Sequence, residues 1–447
     1  MGTLKFRLSL LSFIEFAVWG AYLTSLGNFL AGNGLVAEIG WFYAVQGIVS
    51  LFMPSIIGII ADRWIPAQRM LAICHLLAAI FMGAAGFYCM TTDTIAFTPL
   101  FTLYSLSVAF FMPTIGLCNS VAFNALTKHG LDTVTAFPPI RVFGTIGFIV
   151  AMLFVNFAGP ENASFQSTYM QMFVSAALSI VMFLYAPTMP ACPVSKASAA
   201  GGMTDALGLR AFALFKQRKM ALFFIFSMLL GVSLQITNGY ANPYITGFKD
   251  IPEYASAWAA RNANALISLS QMSETVCILF IPFFLKRFGI KGVMLISMIA
   301  WFGRFGFFGL GDPAGGVWMF ILSCIVYGIA FDFFNVSGGL YVDKMTGSEI
   351  RSSAQGLFMI MTNGLGATVG TISAMAIVNH FVNPADSPEM QLEGWRTCWY
   401  IFAAYAAVVA VLFAIFFRDD RKQSFDEREI KSDEAATIGA PAGQTEI

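Results

Sequence analysis

The sequence consists of long apolar stretches that are separated by short polar segments. A helix needs roughly 20 apolar residues to cross the hydrocarbon core of a bilayer, and twelve stretches reach that length. The predicted membrane-spanning helices cover residues 8–30, 39–61, 70–90, 96–125, 136–157 and 166–187, and then 219–245, 262–285, 290–310, 315–341, 352–379 and 396–417. The pattern therefore predicts an all-α integral membrane protein with twelve transmembrane helices.

The composition agrees with a surface that faces lipid. Apolar residues make up 57% of the chain, charged residues only 11%, and the mean hydropathy is +0.72. A soluble domain carries about 25% charged residues, so this chain lacks the polar side chains that a water-facing exterior requires. The net charge of zero argues against a nucleic-acid partner. The seven Cys lie mostly in apolar stretches and the three His are scattered, so we expect neither a metal site nor a cofactor.

Basic residues mark alternate loops and thereby predict the orientation in the membrane. One set of loops and both ends of the chain carry nearly all of the Lys and Arg residues. The opposite loops carry only Lys249, Arg261 and Arg396. Because cytoplasmic loops are enriched in Lys and Arg, we expect both termini on the cytoplasmic side.

The middle of the chain predicts a division into two halves. A segment rich in proline and small residues, ending in a basic run, is typical of a linker outside the membrane. The predicted parts are a six-helix bundle at 1–187, a cytoplasmic linker at 188–218, a second six-helix bundle at 219–418 and a disordered tail at 419–447. The two halves also share a sequence feature, since Arg141 lies near the start of the fifth span of one half and Arg351 near the start of the fifth span of the other.

Polar side chains inside the predicted spans are the candidates for function. An ionisable group near the bilayer centre costs roughly 2.5–3.5 kcal/mol and usually faces a bundle interior or a water-filled cavity. The ionisable candidates are Glu15, Arg141, Glu274, Arg304 and Asp332, and the others include Thr145, Phe148, Gln235, Asn238, Gln271, Tyr327 and Phe331. Many are three or four residues apart and so share a helix face. Aromatic rings, amides and charges on one face suit a cavity for a small, flat, polyhydroxylated solute.

Each candidate also has a purely structural interpretation. Amides in membrane helices often hydrogen-bond neighbouring helices, and aromatic pairs such as Tyr327 and Phe331 are commonly packing. Arg304 lies near the outer end of its span, where it could snorkel or form a structural pair, so we leave it out of the site. Glu274 and Asp332 are harder to explain as packing.

Four short stretches of the sequence carry a resemblance to a known protein family. They are FPPIRVFGTIGF at 137–148, LQITN at 234–238, SQMSE at 270–274 and VYGIAFDFFN at 326–335. These strings resemble the bacterial nucleoside:proton symporters of the major facilitator superfamily, and the similarity covers nearly all of the chain outside the tail. The resemblance implies proton-driven import of purine and pyrimidine nucleosides across the inner membrane. It also implies a nucleoside pocket formed by Arg141, Thr145, Phe148, Gln235, Asn238, Gln271, Glu274, Tyr327 and Phe331.

The chemistry of these residues fits a nucleoside. An aromatic ring such as Phe148 or Phe331 can stack on the flat face of a nucleobase. A primary amide offers both a donor and an acceptor, so Gln235 and Asn238 could accommodate purines and pyrimidines alike. An ionised Glu274 can accept hydrogen bonds from the two ribose hydroxyls.

A symporter also needs a group that gains and loses a proton. We expect no such role for the scattered His residues, and Arg141 stays charged at any accessible pH. Because Glu274 is assigned to ribose, we expect Asp332 to couple the proton and keep Glu15 as the alternative. Glu15 stands where the family usually carries an amide, and this departure could add a titrating group.

Other functions remain open from the sequence alone. The nearest is a sugar or oligosaccharide:proton symporter on the same fold, which would use similar carboxylates and aromatic rings. An efflux transporter would favour a more apolar pocket, and a channel would not need two bundles. An intramembrane enzyme would need a metal motif or a nucleophile with a base, and the sequence presents neither.

Overall fold

The computed structural model describes residues 2–131, 133–160, 163–194, 209–346 and 351–417, and they are nearly all helical. The helices are α1 (Gly2–Gly20), α2 (Leu26–Gly32), α3 (Ile39–Arg63), α4 (Ala67–Thr91), α5 (Phe97–Lys128), α6 (Thr133–Phe157), α7 (Met170–Tyr185), α8 (Arg218–Leu234), α9 (Ile236–Gly247), α10 (Ala263–Leu310), α11 (Val317–Met345), α12 (Arg351–Met359), α13 (Ala367–Phe381) and α14 (Pro388–Phe416). A π-helix, Ile360–Gly366, joins α12 to α13 without a break.

Two of the predicted parts fall largely beyond this description. Residues 195–208 of the predicted linker and the predicted tail at 419–447 lie outside the described residues. The end of the linker forms a 3-10 helix, Leu209–Lys216, whose Leu214 is buried. This short helix precedes α8 and packs against it through aromatic contacts between Phe215 and Phe224.

The helices are consistent with twelve membrane crossings. Ten helical segments of the described chain are long and apolar enough to cross a bilayer. One of them, α10, has 48 residues and turns at Gly289, whose φ of 68° is in the left-handed region. A straight helix of that length would span about 72 Å, more than twice the hydrocarbon core, so α10 comprises two crossings. The twelfth is the first crossing, which α1 and α2 form together.

Three crossings depart from the regular, continuous α-helices that the hydropathy pattern predicted. The first crossing breaks between α1 and α2, and the seventh breaks at Gln235 between α8 and α9. The eleventh widens into the π-helix Ile360–Gly366. Such irregular turns free backbone groups and re-aim side chains, and π-turns are frequent at functional sites. At membrane depth, irregular backbone is tolerated where it is buried or lines a cavity.

Glycines allow the same pair of helices to pack closely in each half. In the first half, α1 crosses α6 so closely that a Cβ at Gly147 would overlap the Phe13 carbonyl oxygen. In the second half, α8 crosses the eleventh span, and a Cβ at Gly231 would overlap the Thr362 carbonyl oxygen. Small residues permit this approach between membrane helices. Thus the first and fifth spans of each half form equivalent tight pairs.

Contacts between the halves concentrate at the end of the molecule that lies away from Gly2. Asn264, at the start of α10, bonds Thr24 Oγ1, the Met152 carbonyl (3.0 Å) and Gln166 Oε1 (3.3 Å) of the first half. A second group joins Asn156 to Asn262 Oδ1 (2.9 Å) and to the Ala265 N–H (3.1 Å), and Asn379 donates to the Ala37 carbonyl (3.0 Å). These polar bonds close the interface at that end.

Candidate functional site

A cavity of about 820 Å³ lies between the two halves. Its wall extends to Pro54 and Ser55 near the end of α3, and to Gly356 in α12. These positions lie toward the end of the molecule that carries Gly2, opposite the polar bonds between the halves. The cavity also includes all nine positions expected to form a pocket: Arg141, Thr145, Phe148, Gln235, Asn238, Gln271, Glu274, Tyr327 and Phe331.

The first half contributes a cation and a cluster of aromatic rings. The Arg141 guanidinium lies over the Phe16 ring, 3.8 Å from its centroid. Phe148 meets Trp19 edge to face at 6.2 Å, and the Trp19 indole donates to Gln46 Oε1 at 3.3 Å. The Gln46 amide in turn donates to the Tyr104 hydroxyl at 2.9 Å. This chain of contacts fixes the orientation of the aromatic wall.

Phe16, Trp19 and Gln46 line the cavity without having been predicted to do so. The first two spans show no amphipathic stripe that would mark these residues as cavity-lining, because both helices are apolar on nearly all sides. A Gln in an apolar span was the available signal for Gln46. It looked no different from an amide that holds two helices together.

The second half contributes a pair of amides at the break in the seventh crossing. The Asn238 side chain donates to Gln235 Oε1 at 2.8 Å. The Gln235 NH₂ group and the Asn238 carbonyl oxygen therefore keep capacity for a further partner. The helix is interrupted at Gln235, and both amides lie at the cavity wall.

Two stacked rings of α11 form the next part of the wall. Tyr327 and Phe331 stack with centroids 5.6 Å apart and an interplanar angle of 14°. Behind them the Arg304 guanidinium lies 4.2 Å from the Tyr327 centroid. Arg304 also donates to Ser270 Oγ (3.2 Å) and the Ser323 carbonyl (2.9 Å). Arg304 is 2% exposed, so snorkelling was wrong and the structural pairing is the observed role.

Two carboxylates of the second half differ in their access to the cavity. Glu274 lines it, whereas Asp332 is 3% exposed and stands behind the wall. Asp332 Oδ2 has no hydrogen-bond partner among the described residues. The Arg141 guanidinium of the first half interacts electrostatically with Glu274 and, more weakly, with Asp332. The cavity thus separates a cation on one half from two acids on the other.

Glu15 lies outside the cavity wall, buried in the first half. Its Oε2 is 2.9 Å from His75 Nε2, and both side chains are fully buried. Its Oε1 is 2.6 Å from the Thr114 hydroxyl. Nothing in the sequence predicts His75 beside a candidate acid, and the structure places the two in direct contact. Sequence spacing does not reveal this contact, because the two residues are 60 positions apart on different helices.

Neither half assembles a metal site within the described part of the chain, where no group of three His, Cys, Asp or Glu side chains could hold an ion. The arrangement instead offers hydrogen-bonding amides, stacked rings and opposed charges. Such a wall can bind a small planar solute with polar edges.

Comparison with known proteins gives a consistent picture over the whole chain. The family model described as nucleoside H+ symporter matches residues 1–422. The xanthosine permease of Escherichia coli is 44% identical over 96% of this chain and 98% of that protein. The nucleoside permease NupG of the same organism is also 44% identical, over 93% and 96%. The crystal structure of NupG superimposes with a TM-score of 0.83, covering 93% of this chain and 100% of that chain.

Proposed function

The chain belongs to the nucleoside H+ symporter family, and we propose that it imports purine and pyrimidine nucleosides together with protons by alternating access. It is a multi-pass protein of the inner membrane and a transporter, not an enzyme. The observation that carries the proposal is the cavity of about 820 Å³ between the halves. That volume is in the range of small-molecule sites, and its wall combines stacked rings, paired amides and a carboxylate.

Each part of the wall has a role toward one part of a nucleoside. Phe148 and the stacked pair of Tyr327 and Phe331 provide flat apolar faces for the base. The amides of Gln235 and Asn238 keep one donor group and one acceptor for its edge. Glu274 accepts from the ribose hydroxyls through charge-assisted hydrogen bonds.

The remaining predicted positions complete this arrangement. Gln271 also lines the cavity, and its buried Oε1 has no hydrogen-bond partner among the described residues. Arg141 and Thr145 face the same cavity from the first half. Substrate bound there would contact both halves, as alternating access around a central site requires.

We propose that this structure is the inward-facing conformation of the transporter. The basic loops indicate that both termini and the linker 188–218 are cytoplasmic. The cavity extends toward that end, and the bonds around Asn264 close the other end. The bundles 1–187 and 219–418 would then rock against each other to expose the same wall to the outside. Reporter fusions after Lys219 and at the C-terminus should both report a cytoplasmic location.

Asp332 is the proposed proton-coupling group of the second half. It follows Phe331 in α11, is 3% exposed, and interacts electrostatically with Glu274. Its unpartnered Oδ2 can carry a proton without breaking a hydrogen bond. Glu15 of the first half is a further candidate.

Uptake of radiolabelled uridine by transporter-deficient cells tests the function directly. We expect saturable accumulation that a protonophore abolishes and that adenosine inhibits. An excess of lactose should have no effect. Inhibition by lactose but not by adenosine would favour a sugar symporter and contradict the proposal.

A further inference from the structure

The contacts of the buried Glu15 side chain limit where the hydrogens of this site can lie. Three contacts form a chain: His75 Nε2 to Glu15 Oε2 (2.9 Å), Glu15 Oε1 to the Thr114 hydroxyl (2.6 Å), and that hydroxyl to the Phe111 carbonyl (2.5 Å). Each contact is a hydrogen bond only if one of its two atoms carries a hydrogen. A carbonyl oxygen carries none, and a hydroxyl carries one.

The single hydroxyl hydrogen of Thr114 cannot point directly at two acceptors at once. When it points at the Phe111 carbonyl, the contact at Oε1 needs a hydrogen on Glu15. The contact at Oε2 is then supplied by His75 Nε2–H. A protonated Glu15 with a neutral His75 therefore satisfies all three contacts.

The other ring nitrogen supports the same assignment. His75 Nδ1 is buried and has no partner among the described residues. An imidazolium would place an unpaired N–H there, and leaving a buried donor unsatisfied costs about 1–3 kcal/mol. The neutral tautomer with its hydrogen on Nε2 leaves only an acceptor unpaired. The unpaired Nδ1 therefore argues against placing the proton of the site on the ring.

Other groups around Glu15 come from each helix packed on α1. Cys74 belongs to α4 and Cys118 to α5, and both thiols interact with Glu15. Arg141 of α6 interacts with Glu274 most strongly and also with Glu15. In the described residues of α7, the titratable group is Tyr185, which donates to the Arg7 carbonyl two turns from Glu15.

We propose that Glu15, held by His75 and Thr114, is a second proton-binding site, which carries its proton in this conformation and acts on the nucleoside site through Arg141. This inference rests on the proposed function and adds a site in the first half to Asp332 in the second. When Glu15 releases its proton to water in the cavity, the new carboxylate attracts Arg141. Glu274 across the cavity then loses part of that attraction.

The position of Arg141 makes the two binding events depend on each other. Its guanidinium rests on Phe16, the residue after Glu15, and faces the cavity. The proton keeps Glu15 neutral and leaves Arg141 to the cavity, where it acts with Glu274 on the bound nucleoside. Because linkage is reciprocal, nucleoside in the cavity also favours the proton on Glu15, as symport requires.

Infrared difference spectroscopy of the purified protein in lipid nanodiscs tests the proton directly. At neutral pH the wild type should show the C=O band of a protonated carboxyl group that is lost in Glu15→Gln. The glutamine keeps both hydrogen bonds, so the variant is expected to fold. Asp93→Asn, which changes an exposed carboxylate, is the matched control and should keep the band. A wild-type spectrum that differs from Glu15→Gln only by a carboxylate band would overturn the proposal.

Uridine affinity as a function of pH tests the connection through Arg141. The wild-type affinity should fall as the pH rises, and one linked proton changes it by at most about tenfold per pH unit. In Glu15→Gln the profile should be flatter, whereas Asp93→Asn should follow the wild type. Coincident profiles of the wild type and Glu15→Gln would refute the connection. Failure of the wild type to bind uridine would instead contradict the proposed function, and the infrared result would be unaffected.

Discussion

The first and fifth spans pack in the same way in both halves, but the polar groups behind this shared scaffold differ. In the first half, α1 and α6 approach through Gly147, and the acid of that half, Glu15, is buried with His75 behind the cavity wall. In the second half, the corresponding pair approaches through Gly231, and the acid Glu274 faces the cavity directly. The two halves therefore share a scaffold but differ in the side chains around it, and we expect them to contribute unequally to solute binding.

A second difference concerns the backbone at the cavity. The second half interrupts its seventh crossing at Gln235 and widens its eleventh into the π-helix Ile360–Gly366. Both irregular segments contribute to the cavity wall, including Ile360 and Asn363. In the first half, the break between α1 and α2 contributes a single residue, Leu23, to that wall. We therefore expect the second half, which has the less regular helices at the cavity, to contribute more than the first half to recognition of the base.

The largest effect should come from removing polar groups of the second half. Glu274→Ala removes a charge-assisted hydrogen bond worth about 1.5–3 kcal/mol, which corresponds to roughly 10- to 150-fold weaker uridine binding. Gln235→Ala also leaves the Asn238 amide without its acceptor, and we expect uridine binding to weaken at least about tenfold. Equilibrium binding of labelled uridine to purified protein measures both.

The matched change in the first half is Thr145→Ala, which removes one neutral hydroxyl from the same cavity. A neutral hydrogen bond contributes about 0.5–1.5 kcal/mol, so the loss should stay within about tenfold. Wild-type affinity in both Glu274→Ala and Gln235→Ala, at normal expression, would show that these side chains only hold helices together. An equal loss in Thr145→Ala would contradict the assignment of recognition to the second half.

The next prediction distinguishes proton coupling from uridine binding. Asp332→Asn replaces the acid with a neutral group that resembles its protonated form. Because Asp332 lies behind the wall, the variant should still exchange external for internal uridine but lose accumulation driven by a pH gradient. Proteoliposomes with and without that gradient provide the measurement. If Asp332→Asn still accumulates uridine in response to a pH gradient, the coupling group lies elsewhere.

Much of the cavity wall could be predicted from the sequence, because spacing shows which residues of one helix share a face and the family resemblance implied nine pocket positions. The nine pocket positions all line one cavity, although they come from four different spans. Spacing does not show which helices become neighbours. The contacts of Glu15 with His75 and of Trp19 with Gln46 therefore went unpredicted. Hydropathy also counts apolar residues and not backbone angles, so the breaks at Gln235 and after α1 were missed.

The smallest effect should arise at the closed end, where both halves contribute polar bonds. Asn264→Ala removes the side-chain bonds to Thr24 and to the Met152 carbonyl but keeps its main-chain bond to Gln166. Two bonds at about 0.5–1.5 kcal/mol each stabilise the closed end by roughly 1–3 kcal/mol. The variant should open outward more often, while uridine affinity changes only a few-fold because no pocket residue is altered.

Outward opening can be measured with Ser50→Cys, since Ser50 lines the cavity. A membrane-impermeant maleimide added to the outer side should label Ser50→Cys faster when Asn264→Ala is also present. Asn379→Ala, which removes a single bond to the Ala37 carbonyl at the same end, is the matched control and should accelerate labelling less. Protein without Ser50→Cys gives the background from the native cysteines. Equal labelling with and without Asn264→Ala would show that the Asn264 side chain does not hold the two halves together.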